Sequence, residues 1–83
     1  MKLVYFAWVR ERIGKDAEEV SPPDHVRNVG DLIGWLAEQD EAYAYAFEQG
    51  ALVRAAIDKK HVKHDTPIAG VREIAFFPPM TGG

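Results

Sequence analysis

The feature that most constrains this chain is its ending, Phe76-Phe77-Pro78-Pro79-Met80-Thr81-Gly82-Gly83. An apolar strand runs directly into two prolines. Proline fixes φ and has no backbone N–H, so a sheet ladder should stop near Phe77. Two prolines in a row stiffen the exit as an extended, polyproline-like segment. Gly82 and Gly83 then reduce the chain to bare backbone, narrow enough for a channel closed to any other residue. Fully extended, the six residues from Pro78 reach roughly 20 Å. A polar terminal tail is common in folded domains. A merely floppy tail needs neither the apolar strand nor the Pro-Pro stiffener in front of it, so a delivery role for the terminal carboxyl is the better reading. The chain divides as a folded unit over 1–77 and a flexible tail over 78–83.

At 83 residues there is room for one domain and one core, and nine aromatic residues supply the bulk for it. Cysteine is absent, which excludes a disulfide framework, a thiolate zinc site and a cysteine nucleophile, and suits the cytoplasm. No uncharged apolar run is long enough to span a membrane, and Met1 to Val9 reads as a strand rather than a signal peptide. The net charge of −3 argues against nucleic acid as a partner and favours a basic protein surface.

Lys2 to Val9 is apolar on both faces of an alternating pattern, as in a strand central to its sheet or one covered by a partner. Ile13-Gly14-Lys15-Asp16 is a turn signal, and Ala17 to Val20 returns as a second strand of an N-terminal hairpin. Asn28 is a good N-cap, with Asp31 three residues on. Val29, Leu32, Ile33 and Leu36 follow at helical spacing, which predicts a helix over 29–39. A second helix is predicted over 41–49, stopped by Gly50. Leu52 to Ile57 reads as a third strand, Asp58 to His61 as a turn, Val62 as a short extended restart, and Val71 to Phe77 as the last strand. This order predicts an α+β roll: a mixed sheet of four or five strands, one main helix, a second short helix, and the first and last strands side by side.

No phosphate-binding glycine loop follows a strand, and no Ser, His and acid stand in a recognisable triad order. His61, His64 and Asp65 sit beside Lys59, Lys60 and Lys63, whose charges disfavour a metal, so a solvated loop is expected there and no metal site; His25 is read as surface. The chain thus has no acid–base site of its own, and the terminal carboxyl remains. With an ordinary pKa near 3.5 it is an ionised, poor electrophile at pH 7. Any transfer chemistry requires prior activation, for example as an acyl-adenylate made by a partner enzyme with ATP.

Tyr5-Phe6-Ala7-Trp8-Val9-Arg10-Glu11 with Gly14, and the closing Phe-Phe-Pro-Pro-Met-Thr-Gly-Gly, resemble the start and end of the molybdopterin synthase small subunit family. The resemblance covers the whole chain. It implies a ubiquitin-like β-grasp fold. It also implies that Gly83 is adenylated by a ubiquitin-activating-like adenylyltransferase, converted to a thiocarboxylate and inserted into the large subunit. There its sulfur goes to a cyclic pterin phosphate precursor. No cofactor is bound by the carrier, and the ATP is used by the activating partner. On this reading Gly83 is the reacting residue, with Gly82, Thr81 and Met80 as the inserted tail. Phe6, Phe77, Pro78 and Pro79 meet the partner. His61 falls where an apolar residue is expected. A thiamine-type sulfur carrier and a ubiquitin-like modifier are the alternatives of similar fold and ending.

Overall fold

The computed structural model describes residues 1–79. Its elements are β1 (Lys2–Tyr5), α1 (Ala7–Ile13), β2 (Ala17–Glu19), α2 (Val29–Ala37), α3 (Glu41–Ala46), a 3₁₀ turn (Gly50–Leu52), β3 (Arg54–Ile57), β4 (Lys60–Val62) and β5 (Glu73–Phe77). The strand order is β2-β1-β5-β3-β4. β1 and β5 run parallel, with Leu3 beside Ile74 and Tyr5 beside Phe76; the other pairs are antiparallel. First and last strands are neighbours, as expected, because the helices between them supply the crossover a parallel pair needs. The ladder ends at Phe77, immediately before Pro78.

One face of the sheet is covered by the helices. Leu3, Tyr5, Ala55, Ile74 and Phe76 meet Val9 and Ile13 from α1, Leu32 and Leu36 from α2, and Tyr43 and Ala46 from α3. Phe76 stands at the centre, stacked on Tyr5 at 6.3 Å and edge-on to Phe47 at 5.7 Å. α2 starts where its cap predicts: Asn28 Oδ1 accepts from the Asp31 N–H at 2.7 Å, and Asp31 Oδ2 accepts from the Arg27 N–H at 3.1 Å. The first bond satisfies an N–H that a helix start otherwise leaves unpaired, and the second ties the residue before the cap to the first turn.

The N-terminal segment differs from its sequence reading. The strand ends at Tyr5, not Val9, and α1 intervenes, so β1 and β2 pair without forming a tight hairpin. The physical reason lies in spacing. Val9 and Ile13 are both buried; a strand would place charged Glu11 on the same face between them, whereas a helix keeps Val9 and Ile13 together and turns Glu11 out to solvent. The chain reverses at Ala7, whose φ is +52°. Gly14 closes the helix in the left-handed region at φ +86°, its N–H donating to the Arg10 carbonyl. Arg12 clamps α1 to α3, its guanidinium lying 4.5 Å from the Trp8 ring centre and 4.1 Å from that of Tyr45.

Smaller differences follow the same logic. α3 ends at Ala46, and Gly50 opens the 3₁₀ turn rather than stopping a helix. A Cβ there would sit 3.0 Å from Ile33 Cγ2, so close packing, not a left-handed cap, explains this glycine. Asp58 and Lys59 alone form the β3–β4 turn, both at positive φ as a two-residue hairpin requires, so Lys60 and His61 belong to β4.

Candidate functional site

The opposite face of the sheet carries no helix. Side chains alternate across a strand. With Leu3, Tyr5, Ile74 and Phe76 turned to the core, Val4 and Ala75 point the other way, together with Phe77 and its cross-strand partner Arg54. Ala56 and its partner His61 share that face. Phe6 follows β1 directly. Its N–H donates to the Phe76 carbonyl at 3.0 Å, tying it to β5, while its side chain stands 47% exposed. A shallow hollow of about 290 Å³ joins Val4, Phe6, Ala56, Ala75 and Phe77, with Asp58, Lys59 and Glu73 also lining it.

Phe6 and Phe77, 71 positions apart in the chain, therefore line one hollow. Pro78 and Pro79 continue from Phe77 and are half-buried. Met80, Thr81, Gly82 and Gly83 lie outside the described residues. Val4, Ala56 and Ala75 belong to the same surface and were not singled out from the sequence. The alternation within Glu73–Phe77 was the available signal for Ala75. Ala56 depends on the β3–β5 register, which no single segment reveals.

His61 lies on this surface rather than in a turn, its ring 5.0 Å from the Phe77 ring centre. His64 is not a solvated loop residue: its Nε2 is 2.7 Å from the Val53 carbonyl oxygen, an internal tie for the chain leaving β4. The two histidines thus serve different partners. Among the described residues no group of three His, Asp or Glu side chains is arranged around a metal position. His25 is exposed, as read from the sequence.

The most strongly coupled polar groups lie on the helical side. Glu18, opposite Leu3 and turned inward, accepts hydrogen bonds from Tyr5 at 2.7 Å, Tyr43 at 2.6 Å and Lys15 at 3.2 Å. Burial by itself pushes the Glu18 carboxyl up, but the bonds from Tyr43, Tyr5 and Lys15 outweigh it and hold the group below the usual carboxylate range. Burial and the Glu18 charge raise both tyrosines. This network fastens β2 to β1 and α3. It lies on the helix-covered side of the sheet, away from the open face, and contains no nucleophile poised for reaction.

The surface therefore offers apolar contact area and an outgoing chain, not a reaction centre. That arrangement fits a carrier. A model of the ThiS family matches residues 3–83. The chain belongs to the ThiS family. Among curated ThiS-family relatives, the molybdopterin synthase sulfur carrier subunit of Escherichia coli (strain K12) is 41% identical over 83 residues, covering 100% of this chain and 99% of that protein. The subunit of the same name from Haemophilus influenzae is 34% identical over the same span. SAMP1 from Haloferax volcanii superposes with a TM-score of 0.73 at 24% identity, covering 100% of this chain and 98% of that one. A Pyrococcus furiosus protein described as subunit 1 of a molybdopterin converting factor gives 0.69 at 27% identity, with 95% of each chain covered. The fold is the ubiquitin-like β-grasp, with five strands and, beyond the two helices read from the sequence, the additional helix α1. Among the described residues no helix is long and apolar enough to cross a membrane.

Proposed function

We propose that this chain is the sulfur carrier subunit of molybdopterin synthase. The observation that carries the reading is its end-to-end match, at 41% identity, to a subunit of that name. The uncovered apolar face at the root of the tail supports it, because a carrier must dock before its terminus can be presented. In this reading an adenylyltransferase partner couples the Gly83 carboxylate to AMP and releases pyrophosphate. A sulfur donor then displaces AMP, leaving a thiocarboxylate. The tail, Met80 to Gly83, enters the large subunit, where the terminal sulfur attacks the cyclic pterin phosphate precursor. Water finally releases the carrier as its plain carboxylate. The carrier supplies no acid or base; those groups belong to the large subunit. Two sulfurs make the dithiolene, so two carriers serve each product and a heterotetramer is the natural assembly. The setting is cytoplasmic, and ATP is consumed by the partner, not held by this chain.

A second reading keeps the chemistry and changes the recipient, since a ThiS-family match is also compatible with a thiamine-type carrier. One experiment addresses both. The chain is incubated with ATP, the adenylyltransferase and a sulfur donor, and its intact mass is followed beside a variant lacking Gly83. Replacement of one oxygen by sulfur, absent in the variant, is expected. Adding the large subunit and the pterin precursor should then return the mass to the starting value. Failure of the first step with an active adenylyltransferase overturns carrier function. Failure of the second step alone favours the other recipient.

A further inference from the structure

The net charge is −3, but the charges are not evenly placed. Residues 54–63 hold four cations, Arg54, Lys59, Lys60 and Lys63, against one carboxylate, Asp58, a local balance of +3. Arg54 and Lys63 belong to the open face beside Phe77. They line a hollow of about 420 Å³ with His61, Val62, Ala55 and the Phe77 ring. An adjoining hollow of about 230 Å³ is again lined by Arg54 and Lys63, with His64. No carboxylate lines either one. Lys2, Arg10, Arg12 and Lys15 are each within 4.0 Å of an acidic side chain; Arg54 and Lys63 are among the six cations that have no such partner among the described residues. Arg54 also sits directly across the ladder from Phe77, the last residue before the tail departs.

We propose that the hollow between Arg54 and Lys63 is a carboxylate-binding site for the docked partner. An aspartate or glutamate at the rim of the partner's apolar seat enters it when Phe6 and Phe77 are covered. Three observations converge on a carboxylate. The guanidinium fork suits one geometrically. Lys63 lines the same hollow and offers its ammonium as a second donor. The site is continuous with the apolar surface through Phe77, which lines both hollows. Total charge suggests a basic partner, and the apolar hollow itself carries Asp58 and Glu73 beside Lys59; the hollow between Arg54 and Lys63 has the opposite sign and selects a carboxylate at that one place. The pairing would fix the rotational setting of the carrier, and so the direction in which Pro78 and Pro79 launch the tail.

The inference rests on the partner reading above, and its test separates the two. Titration calorimetry with the large subunit of molybdopterin synthase from the same source would compare the wild type with Arg54→Gln/Lys63→Gln. A second double variant, Lys60→Gln/Arg72→Gln, removes the same charge away from the hollow. Lys60 faces the other side of the sheet, opposite Ile57, and Arg72 lies at the far end of β5. Loss of the paired cations should weaken binding by about tenfold or more at low salt, and flatten its dependence on NaCl between about 50 and 500 mM. The control should keep both the affinity and the slope. Equal behaviour of the two double variants, or no loss in the first, overturns the site while leaving the partner reading intact. Absence of wild-type binding at any salt removes the partner reading and the site with it. Unaltered thermal transitions would show that the variants are folded.

Discussion

Replacing Glu18 by alanine should be the most costly single polar change in this domain. The Glu18 carboxylate takes the hydrogen bond of the Tyr5 hydroxyl, and Tyr5 is 1% exposed. Without it that hydroxyl is orphaned, at a cost of about 1–3 kcal/mol. Tyr43 loses a charge-assisted bond but keeps Lys15 at 2.9 Å, which adds about 1 kcal/mol. A total near 3 kcal/mol corresponds to a fall in Tm of roughly 12–24 °C for a domain of this size. Urea denaturation followed by the fluorescence of Trp8 and Trp35 would measure it. The pH dependence has a defined sign. The folded carboxyl lies below its unfolded value of about 4.3, so its contribution is complete above that pH and is lost as pH falls through the lower folded value. The gap between wild type and variant should thus be constant at neutral pH and narrow in acid, where the protonated carboxyl keeps only its neutral hydrogen bonds. Adding Tyr5→Phe to Glu18→Ala should restore about 1 kcal/mol or more, because removing both partners leaves nothing unsatisfied. A gap that persists unchanged to pH 3, or a double variant no more stable than Glu18→Ala, would refute the reasoning.

Three further outcomes are expected. Gly14→Ala should lower the denaturation midpoint by about 1 kcal/mol at constant m-value, a purely conformational cost, because φ is +86° and a Cβ there meets nothing within 4 Å. Phe6→Ala should weaken binding of the large subunit by about 2 kcal/mol in calorimetry while leaving Tm nearly unmoved, since the ring is 47% exposed in the free chain. His61→Leu should tighten the same complex by about 1 kcal/mol, because it extends the apolar area beside Phe77; equal or weaker binding would place His61 outside the contact.

Most of the architecture was legible because the signals were local. The Asn28 cap with Asp31, the apolar spacing from Val29 to Leu36, and Pro78 as the end of a ladder each depend on a few adjacent residues. The misreadings arose where two periods fit one segment. Lys2 to Val9 alternates well enough for a strand, and only charged Glu11 between apolar Val9 and Ile13 reveals the helical repeat that takes over after Phe6. At Asp58 and Lys59 neither residue is a glycine, so a two-residue hairpin turn at positive φ left no ordinary sequence signal.

The misread N-terminal strand and the exposed position of Phe6 share one cause. A strand continuing through Val9 would carry Phe6 and Trp8 along one flat face. Ending it at Tyr5 and reversing at Ala7 sends Val9 and Ile13 into the core and leaves Phe6 alone at the corner. The left-handed Ala7 costs about 1–2 kcal/mol, which the buried side chains of α1 must offset. Phe6 therefore stays exposed because the chain turns beneath it, and the Phe6 amide bond to Phe76 fixes it beside Phe77. The same long-range placement brings Arg54 and Lys63 to the tail exit in a chain whose total charge is negative. The proposed docking surface depends on register between distant strands, Arg54 with Phe77 and Ala56 with His61, and register is the information that composition and local periodicity do not carry.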